Sequence, residues 1–409
     1  FVADRKPLPW GRLFLLGSLG VLLFGFLGLI FYPYDNLRPR IETAASQYLQ
    51  TPVLVSSVQL QLFPKPVLIL SNIKIGDKGD SSLDRVTLPP LSLVGSGQRE
   101  IERVDVSGAS FAVDRLLKFP GFGLVPQNTD SPLAVKRLVI DRFSVSAGTL
   151  VLDGLQGEIS SGSDGLAKKV EFQTVDRNIR LSAVPAPSGL LLNIEGFGWK
   201  PFPNALISFD SLQAKGLLQS GKLIIQSFDT TLLGGIVKGS WLLDWSNGLT
   251  MAGDASLARL DARRISTALV PKLPMEGEMS GVLRLRGSGA NSSAMWHAAD
   301  GSMDITVTNG AVHGVDLGEA MRRGAGSAVR GGATKFERLT GTLNITEGKV
   351  LGRVSQLDAG MMLANGQFSL IDQRVDAVMT VTMQTSVSSQ RLPVAVSGVI
   401  PDLSSIAGR

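Results

Sequence analysis

Two histidines, His297 and His313, have the widest chemical repertoire in this sequence, because imidazole can bind a metal or exchange a proton near neutral pH. Neither belongs to an HExxH motif or to a carboxylate-rich loop. The chain has no cysteine, which removes disulfides, thiolate metal sites and cysteine nucleophiles together. The sequence therefore predicts no metal site, and a turn or surface position is the better interpretation of His313.

Motifs for nucleophilic catalysis or phosphate binding are also missing. No GxSxG sequence supplies the nucleophile elbow of a hydrolase. The glycine-rich stretches at 287–289 and 322–326 lack the GK[ST] of a phosphate loop. Glu276 and Glu278 alternate along one strand face, where solvated surface is a better interpretation than an acid–base pair. We therefore expect no catalytic residue, no cofactor and no enzymatic activity.

Charge gives little support to a nucleic-acid ligand. The 409 residues carry 40 basic and 35 acidic side chains, a net charge of +5. The basic residues form no dense run and no patch interleaved with aromatic side chains. We interpret the surplus as a mildly basic, solvated surface.

The elements that must position any functional residue begin with an uncharged run, LFLLGSLGVLLFGFLGLIF, at residues 13–31. Its length suits a helix that crosses a bilayer. It predicts a transmembrane helix over residues 13–32, anchored by apolar side chains that include Leu13, Leu16, Leu22, Phe26 and Ile30. A cleaved signal peptide is the alternative, but bulky aromatic residues follow the run where a cleavage site needs small ones.

The charges beside this run predict its orientation. Arg5, Lys6 and Arg12 outnumber Asp4 before it, so residues 1–12 should stay in the cytoplasm. Everything after Asp35 would then lie across the membrane, which is the periplasm in a Gram-negative cell. The expected location is the inner membrane, crossed once, with the bulk of the chain periplasmic.

Residues 35–50 predict a short juxtamembrane helix. Leu37, Ile41 and Tyr48 recur at helical spacing, and Asp35 or Asn36 can cap the first turn.

From Val53 onward the apolar residues alternate with polar ones, and turn signals return about every ten residues. No βαβ alternation interrupts the pattern, so a long antiparallel sheet is expected. We divide it into an N-terminal part at 53–204 and a C-terminal module at 205–409. The exceptions are a predicted helix at 257–270 and an interruption rich in Gly, Ala and Arg at 318–332.

The clearest alternation lies between Gly301 and Met383. Its apolar positions should share one face of the sheet; the candidates are Met303, Ile305, Val307, Leu343, Ile345, Val375, Met379 and Val381. Such a face must be covered by another protein layer, as in a β-sandwich, or hold something apolar that is not protein. The pattern alone favours the sandwich.

Three segments resemble the AsmA family of membrane-anchored periplasmic proteins. The first follows the apolar run and contains VSSVQLQLFPKPVLILSNIKIGD (Val55–Asp77). The second is the Gly-Gly turn and strand at Leu233–Ser240. The third comprises NGAVHGVDL, TKFERLTGTLNITEGKV, GQFSLIDQRVDAVMTV and LPVAVSGVIPDLSS, between Asn309 and Ser405. The order of the three segments carries the resemblance, since each alone is a common pattern.

The resemblance implies a mainly β fold with a few short helices, in which a long twisted sheet curls like a taco into a hydrophobic groove. Some 20–25 strands at about 4.8 Å each would give a groove of roughly 100 Å. The eight apolar candidates would line it. The implied function is non-enzymatic binding or conduction of phospholipid acyl chains for outer-membrane assembly or lipid homeostasis.

The opening of the chain also resembles the N-type component of type II secretion systems, so a structural subunit of a secretion or envelope complex is the alternative. The expected partners are the membrane, a phospholipid or other acyl lipid, and other envelope proteins.

Overall fold

The structure is a computed structural model, and it describes residues 32–76, 81–89, 99–124, 133–162, 164–200, 208–270, 272 and 274–408. The predicted cytoplasmic segment and, apart from Tyr32, the predicted transmembrane helix with its anchor residues lie outside these ranges. Within the described ranges, every helix is too short or too polar to span a bilayer.

Helices make up a small part of the fold. Two short 3-10 helices occupy Tyr34–Leu37 and Pro120–Phe122. The α-helices of the described residues are α1 (Arg38–Leu49), α2 (Val113–Leu116), α3 (Ala262–Leu269), α4 (Ser292–His297) and α5 (Leu317–Arg323). A helix is present within the predicted range 35–50, but neither Asp35 nor Asn36 caps α1, whose N-cap position is Leu37 and lacks a side-chain hydrogen bond.

Strands dominate the described residues. The first eleven are β1 (Val53–Gln61), β2 (Val67–Ile75), β3 (Ser81–Leu88), β4 (Arg99–Ile101), β5 (Val104–Ala112), β6 (Leu133–Val135), β7 (Arg137–Ala147), β8 (Leu150–Ser161), β9 (Ala167–Thr174), β10 (Ile179–Ala186) and β11 (Gly189–Trp199).

The remaining strands are β12 (Phe209–Gln219), β13 (Lys222–Leu232), β14 (Gly235–Asp244), β15 (Leu249–Asp261), β16 (Met275–Gly289), β17 (Asp300–His313), β18 (Ala328–Arg330), β19 (Ala333–Thr346), β20 (Lys349–Ala359), β21 (Met362–Ile371), β22 (Arg374–Gln384), β23 (Ser389–Val399) and β24 (Asp402–Ala407).

Twenty-two of these strands join in one open sheet, and the other two, β4 and β6, pair with each other. Neighbours in the sheet are nearly always neighbours in sequence, because most strands are joined by hairpin turns. Two places depart from this order. Strand β5 pairs in parallel with β7. Strand β18 lies between β17 and β19 in sequence but pairs with β24 at the end of the sheet. The expectation of a long, mainly antiparallel sheet is confirmed, with β5–β7 as the one parallel pair within the 22-stranded sheet; the separate pair β4–β6 is also parallel.

One smaller prediction needs correction. The helix predicted at 257–270 begins only at Ala262, because Leu257 and Leu260 pair with β16 as part of β15. The side chain of Asp261 then caps α3 by accepting the N–H groups of Arg263 and Arg264. The interruption of the alternation at 318–332, for which no element was predicted, contains most of α5 and all of β18.

The sheet is continuous where we divided the sequence into two parts. Strands β11 and β12 pair along most of their length, from Leu190 with Leu218 to Trp199 with Phe209. The hydrogen-bonded ladder therefore runs without a break from β1 to β24 and β18. At about 4.8 Å per strand, 22 strands extend over roughly 100 Å along the curve of the sheet.

Candidate functional site

A single row of cross-strand neighbours runs through all 22 strands and defines the apolar face of the sheet. Directly paired residues on adjacent strands point to the same face. We call this line of pairs the central row. In sheet order it consists of Val58, Leu70, Val86, Val106, Ile140, Gly157, Phe172, Leu181, Ile194, Ala214, Phe228, Gly239, Ala255, Leu283, Met303, Leu343, Gly352, Phe368, Ala377, Val396, Ser405 and Val329.

The central row contains no charged residue, and Ser405 is its only polar member. Three buried apolar clusters lie along this face. Leu181 packs against the first and the third, and Phe228 packs against the second and the third. The apolar surface is therefore continuous from the first strand of the sheet to the last.

Exposure along the central row divides the sheet into three sections. Nearly all of its positions are buried in β1–β9, from Val58 to Phe172, and so are those in β23, β24 and β18. Most positions between Leu181 and Ala377, in β10–β22, are only half-buried. This middle section, about 50 Å along the sheet, is where the apolar face is open to solvent.

The eight residues predicted from the sequence all lie on this face. Met303 pairs directly with Leu343, and their strand neighbours Ile305 and Ile345 flank them on the same side. Val307, Val375, Met379 and Val381 are buried, with Val307 and Val381 fully shielded, whereas the other four are half-buried. The structure thus brings the eight residues together on one surface, and four of them remain partly accessible to solvent.

Glycines alternate with large side chains beside the central row, a feature that the sequence analysis missed. The next row over β15–β22 reads Leu257, Gly281, Ile305, Gly341, Val354, Gly366 and Met379 across seven neighbouring strands. Side chains on the concave side of a curled sheet converge, so a glycine on every second strand relieves their crowding. The glycines were visible in the sequence, but only the register shows that they alternate across strands.

Several large rings lie flat over glycines of the adjacent strand. A Cβ on Gly352 would lie 2.1 Å from the Phe368 ring, and one on Gly253 would lie 2.4 Å from the Trp241 ring. Gly310, from the NGAVHGVDL motif, is covered by Phe336 in the same way. The rings rest on the sheet instead of standing above it, which keeps the apolar face shallow and open.

The N-terminal edge of the sheet is closed by α1 and the turn before it. Ser46, Glu42 and Asp35 accept hydrogen bonds from the backbone N–H groups of Val53, Val55 and Val58, at 2.9, 2.8 and 2.9 Å. The Val55 N–H, assisted by Arg38, holds the pKa of Glu42 below its usual range. Three donors of edge strand β1 are therefore occupied by the chain itself.

A carboxylate clasp fixes the curl of the N-terminal section. Asp114, in α2 after β5, accepts hydrogen bonds from Gly221 N at 2.7 Å, Ser220 Oγ at 2.8 Å and Trp245 Nε1 at 3.4 Å. These partners lie in the turns after β12 and β14. In a flat sheet β5 and β13 would be about 34 Å apart, seven strand steps. The contact is possible only because the sheet curls until its distant parts meet.

The C-terminal section is closed by residues 314–332, which we call the strap. Its helix α5 contacts β19 as well as β22–β24 and β18. Strands β19 and β24 would be about 24 Å apart in a flat sheet, whereas a seven-residue helix is about 10 Å long. The sheet must therefore curl around α5, and Leu317, Ala320 and Met321 are buried in the same apolar cluster as Val381 and Val394.

Polar contacts hold the strap in place at both ends. The Thr334 hydroxyl accepts the N–H of Leu317 at 3.1 Å and donates to Val315 O at 2.8 Å. Gly314 N donates to Gly332 O at 2.9 Å. Strand β18 is hydrogen-bonded to β24, and Ser405 Oγ donates to Asp316 O at 3.4 Å.

Among the residues that the structure describes, the titratable side chains form no comparable centre. His313 lies at the end of β17 and its Nε2 is 2.9 Å from Glu276 Oε1, while Arg263 also bonds Glu276. These two hydrogen bonds, His313 first, hold the pKa of Glu276 below its usual range. The cluster is solvent-exposed. Within the described ranges, no group of three or more potential ligand side chains could hold a metal ion.

A depression of about 680 Å³ over β7–β11 is lined mainly by residues of the polar face, together with Ile140, Gly157, Phe172 and Leu181 of the central row. Its lining includes Asp141, Glu158, Glu171 and Glu195, with Arg180 among them. Such a surface would repel an acyl chain, so the apolar face is the better candidate for a functional surface.

Residues 199–353, from the end of β11 into β20, match the AsmA family. The match contains the Gly-Gly turn at Leu233–Ser240 and the first half of the third segment, so the resemblance is confirmed for this part of the chain. No curated protein and no solved structure matches the sequence. The family match relates this part of the chain to envelope and lipid functions.

Proposed function

We propose that this chain, with its AsmA-family segment at residues 199–353, binds or conducts phospholipid acyl chains on the apolar face of its sheet. It acts without catalysis, from an inner-membrane anchor at residues 13–32, with residues 1–12 in the cytoplasm and the bulk of the chain in the periplasm. Its role is in outer-membrane assembly or lipid homeostasis, in contact with the membrane and with other envelope proteins.

The observation that carries this proposal is the uncharged central row. Burying an acyl chain contributes about 0.8 kcal/mol per CH₂ group. An apolar surface without a buried charge can therefore accept a lipid tail while the head group stays in water. A single Asp or Lys in the row would place a costly step in the path, and none occurs in 22 successive positions.

Uniformity along the row supports movement as well as binding. A tail passes easily between neighbouring positions when their energies are similar. The half-buried members Leu283, Met303 and Leu343 offer comparable apolar contacts on three successive strands of the sheet, and the flexible Met303 can adapt to an irregular chain.

The rival function, a structural subunit that pairs its sheet edge with other chains, has less support. Such pairing uses free N–H and C=O groups of an edge strand. The side chains of Asp35, Glu42 and Ser46 already occupy three donors of β1. At the other end, the edge strand is the three-residue β18, which offers few backbone groups for pairing with another chain.

The proposal is tested by purifying the full-length chain from membranes and identifying bound lipid by mass spectrometry. We expect phospholipid with the wild type and at least a tenfold loss in Ile305→Asp, because a carboxylate facing the tail costs several kcal/mol. Thr306→Asp is the matched control, since Thr306 is the next residue and faces the other side of the sheet.

Two results would refute the proposal. One is a stoichiometric protein complex that carries no lipid. The other is a wild-type protein that never retains lipid, together with an Ile305→Asp variant that unfolds globally. That pair of results would identify the apolar face as a closed core.

A further inference from the structure

The strap rests where the C-terminal part of an acyl-binding surface would be. In β22–β24 the apolar face continues beneath α5, and Val381 and Val394 on its floor are fully shielded. The side chains that shield this part of the face include Leu317, Ala320 and Met321, which belong to the same cluster. The strap therefore makes the kind of apolar contact that a lipid tail would make there.

Apart from the apolar packing of α5 and Val329, the strap is attached by a few local polar contacts. These contacts involve the Thr334 hydroxyl, the Ser405 hydroxyl and the short pairing of β18 with β24. Glycines with positive φ angles stand at both ends, Gly314 at 84° on one side and Gly331 and Gly332 at 71° and 86° on the other. The ladder from β19 to β24 does not include the strap, so the strap can leave without breaking that ladder.

We infer that the strap is a built-in occupant of the C-terminal acyl site. This inference rests on the proposed function. With the strap docked, lipid tails have access only to the middle section, β10–β22, and must enter it from the side. When the strap is released, the accessible surface extends to the C-terminal end of the sheet.

The test places a photo-crosslinking amino acid in the full-length chain in its native membrane and detects lipid adducts by mass spectrometry. Met303 reports on the middle section. Leu392, half-buried and directly opposite Val381, reports on the part beneath the strap. Val378 is on the polar face, 64% exposed, and serves as the background control.

Two changes set the position of the strap. Ala328→Cys with Ile406→Cys should lock it, because these residues are directly paired between β18 and β24. Paired residues lie about 4.5–5.5 Å apart between Cα atoms, which suits a disulfide, and the chain has no other cysteine. Thr334→Val should release it by removing the hydroxyl that holds Leu317 and Val315, with almost no change in shape.

We expect the locked chain to give lipid adducts at Met303 and only background at Leu392. Thr334→Val should raise the Leu392 adduct at least about fivefold, since a lost buried hydrogen bond changes an equilibrium by that much or more. Adding the lock should cancel this rise, and a reductant should restore it. Thr342→Val, on the polar side of the same strand, should leave both adducts unchanged. Ser405→Ala should raise the Leu392 adduct, as Thr334→Val does.

The possible failures are distinct. Equal labelling of Leu392 and Met303 in the locked chain, or no response of Leu392 to either releasing variant, would overturn the strap inference and leave the proposed function intact. Absence of lipid at Met303 in every form would overturn the proposed function, and the strap inference with it.

Discussion

Asp114 holds together parts of the sheet that are far apart in sequence, so its substitution is the most direct test of the curled architecture. Its carboxylate accepts two N–H groups, from Gly221 and Trp245, and one hydroxyl, from Ser220. Gly221 and Trp245 are buried. Asp114→Ala removes the acceptor and leaves both N–H groups without this partner.

The size of the effect follows from these contacts. A hydrogen bond to a charged group contributes about 1.5–3 kcal/mol, and the 3.4 Å contact from Trp245 contributes least. We expect Asp114→Ala to destabilise the contact by about 2–4 kcal/mol, which is at least a 30-fold change in the local opening equilibrium. Asp114→Asn, which keeps one carbonyl acceptor, should lose less.

Hydrogen exchange measured by mass spectrometry provides the assay. Peptides that contain Gly221 and Trp245 should exchange at least about 30-fold faster in Asp114→Ala, whereas peptides from β20–β22 should be unaffected. Asp376→Ala is the matched control. Its carboxylate pairs with Arg374 on the exposed polar face, so removing it should change stability by less than about 1 kcal/mol. Unchanged exchange at Gly221 in Asp114→Ala would show that the two regions do not meet and that the sheet is not curled by this clasp.

Three further outcomes are expected. In thermal melts, Glu276→Gln should destabilise the protein at pH 7, and this difference should shrink as the pH falls below 4.5. The reason is that a folded-state pKa below the normal 4.5 contributes stability above that pH and loses it as the pH falls through the folded pKa. A difference that does not change with pH would contradict this. Glu42→Ala frees the edge N–H of Val55, so light scattering should detect concentration-dependent association absent from the wild type, and a strictly monodisperse variant would argue against edge protection. Gly352→Ala should destabilise the fold by about 1–3 kcal/mol because its methyl group meets the Phe368 ring; Phe368→Leu should recover part of this loss, and additive effects of the two changes would refute the contact.

The strand pattern could be predicted from the sequence because each strand contains its own evidence. The alternation was predicted to begin at Val53, which is the first residue of β1, since alternation and flanking turns are local properties. Prediction failed where pairing overrode local preference. Leu257 and Leu260 have helical spacing, yet both extend β15 because β16 offers partners for them.

The candidate surface was predicted only in part. The eight residues share one face, as alternation requires. The sequence did not separate the fully shielded Val307 from the half-buried Met303, because that difference depends on which elements pack above each position. It also gave no sign that residues 314–332 contain a helix packed on the apolar face, since a seven-residue helix between glycines has little helical signal of its own.

By itself, the sequence determined which side chains of each strand share a face and which of the two faces is apolar. Neighbouring residues are enough for this, because the side chains of a strand alternate with a period of two. Only the tertiary structure decided that these faces align into one row across 22 strands, since register depends on turns, bulges and the parallel step between β5 and β7. It also decided where the row is open. That depends on contacts between residues more than a hundred positions apart, such as Asp114 with Gly221, and on a strap whose partner strand comes about 75 residues later in the chain. Local patterns contain no information about such distant encounters.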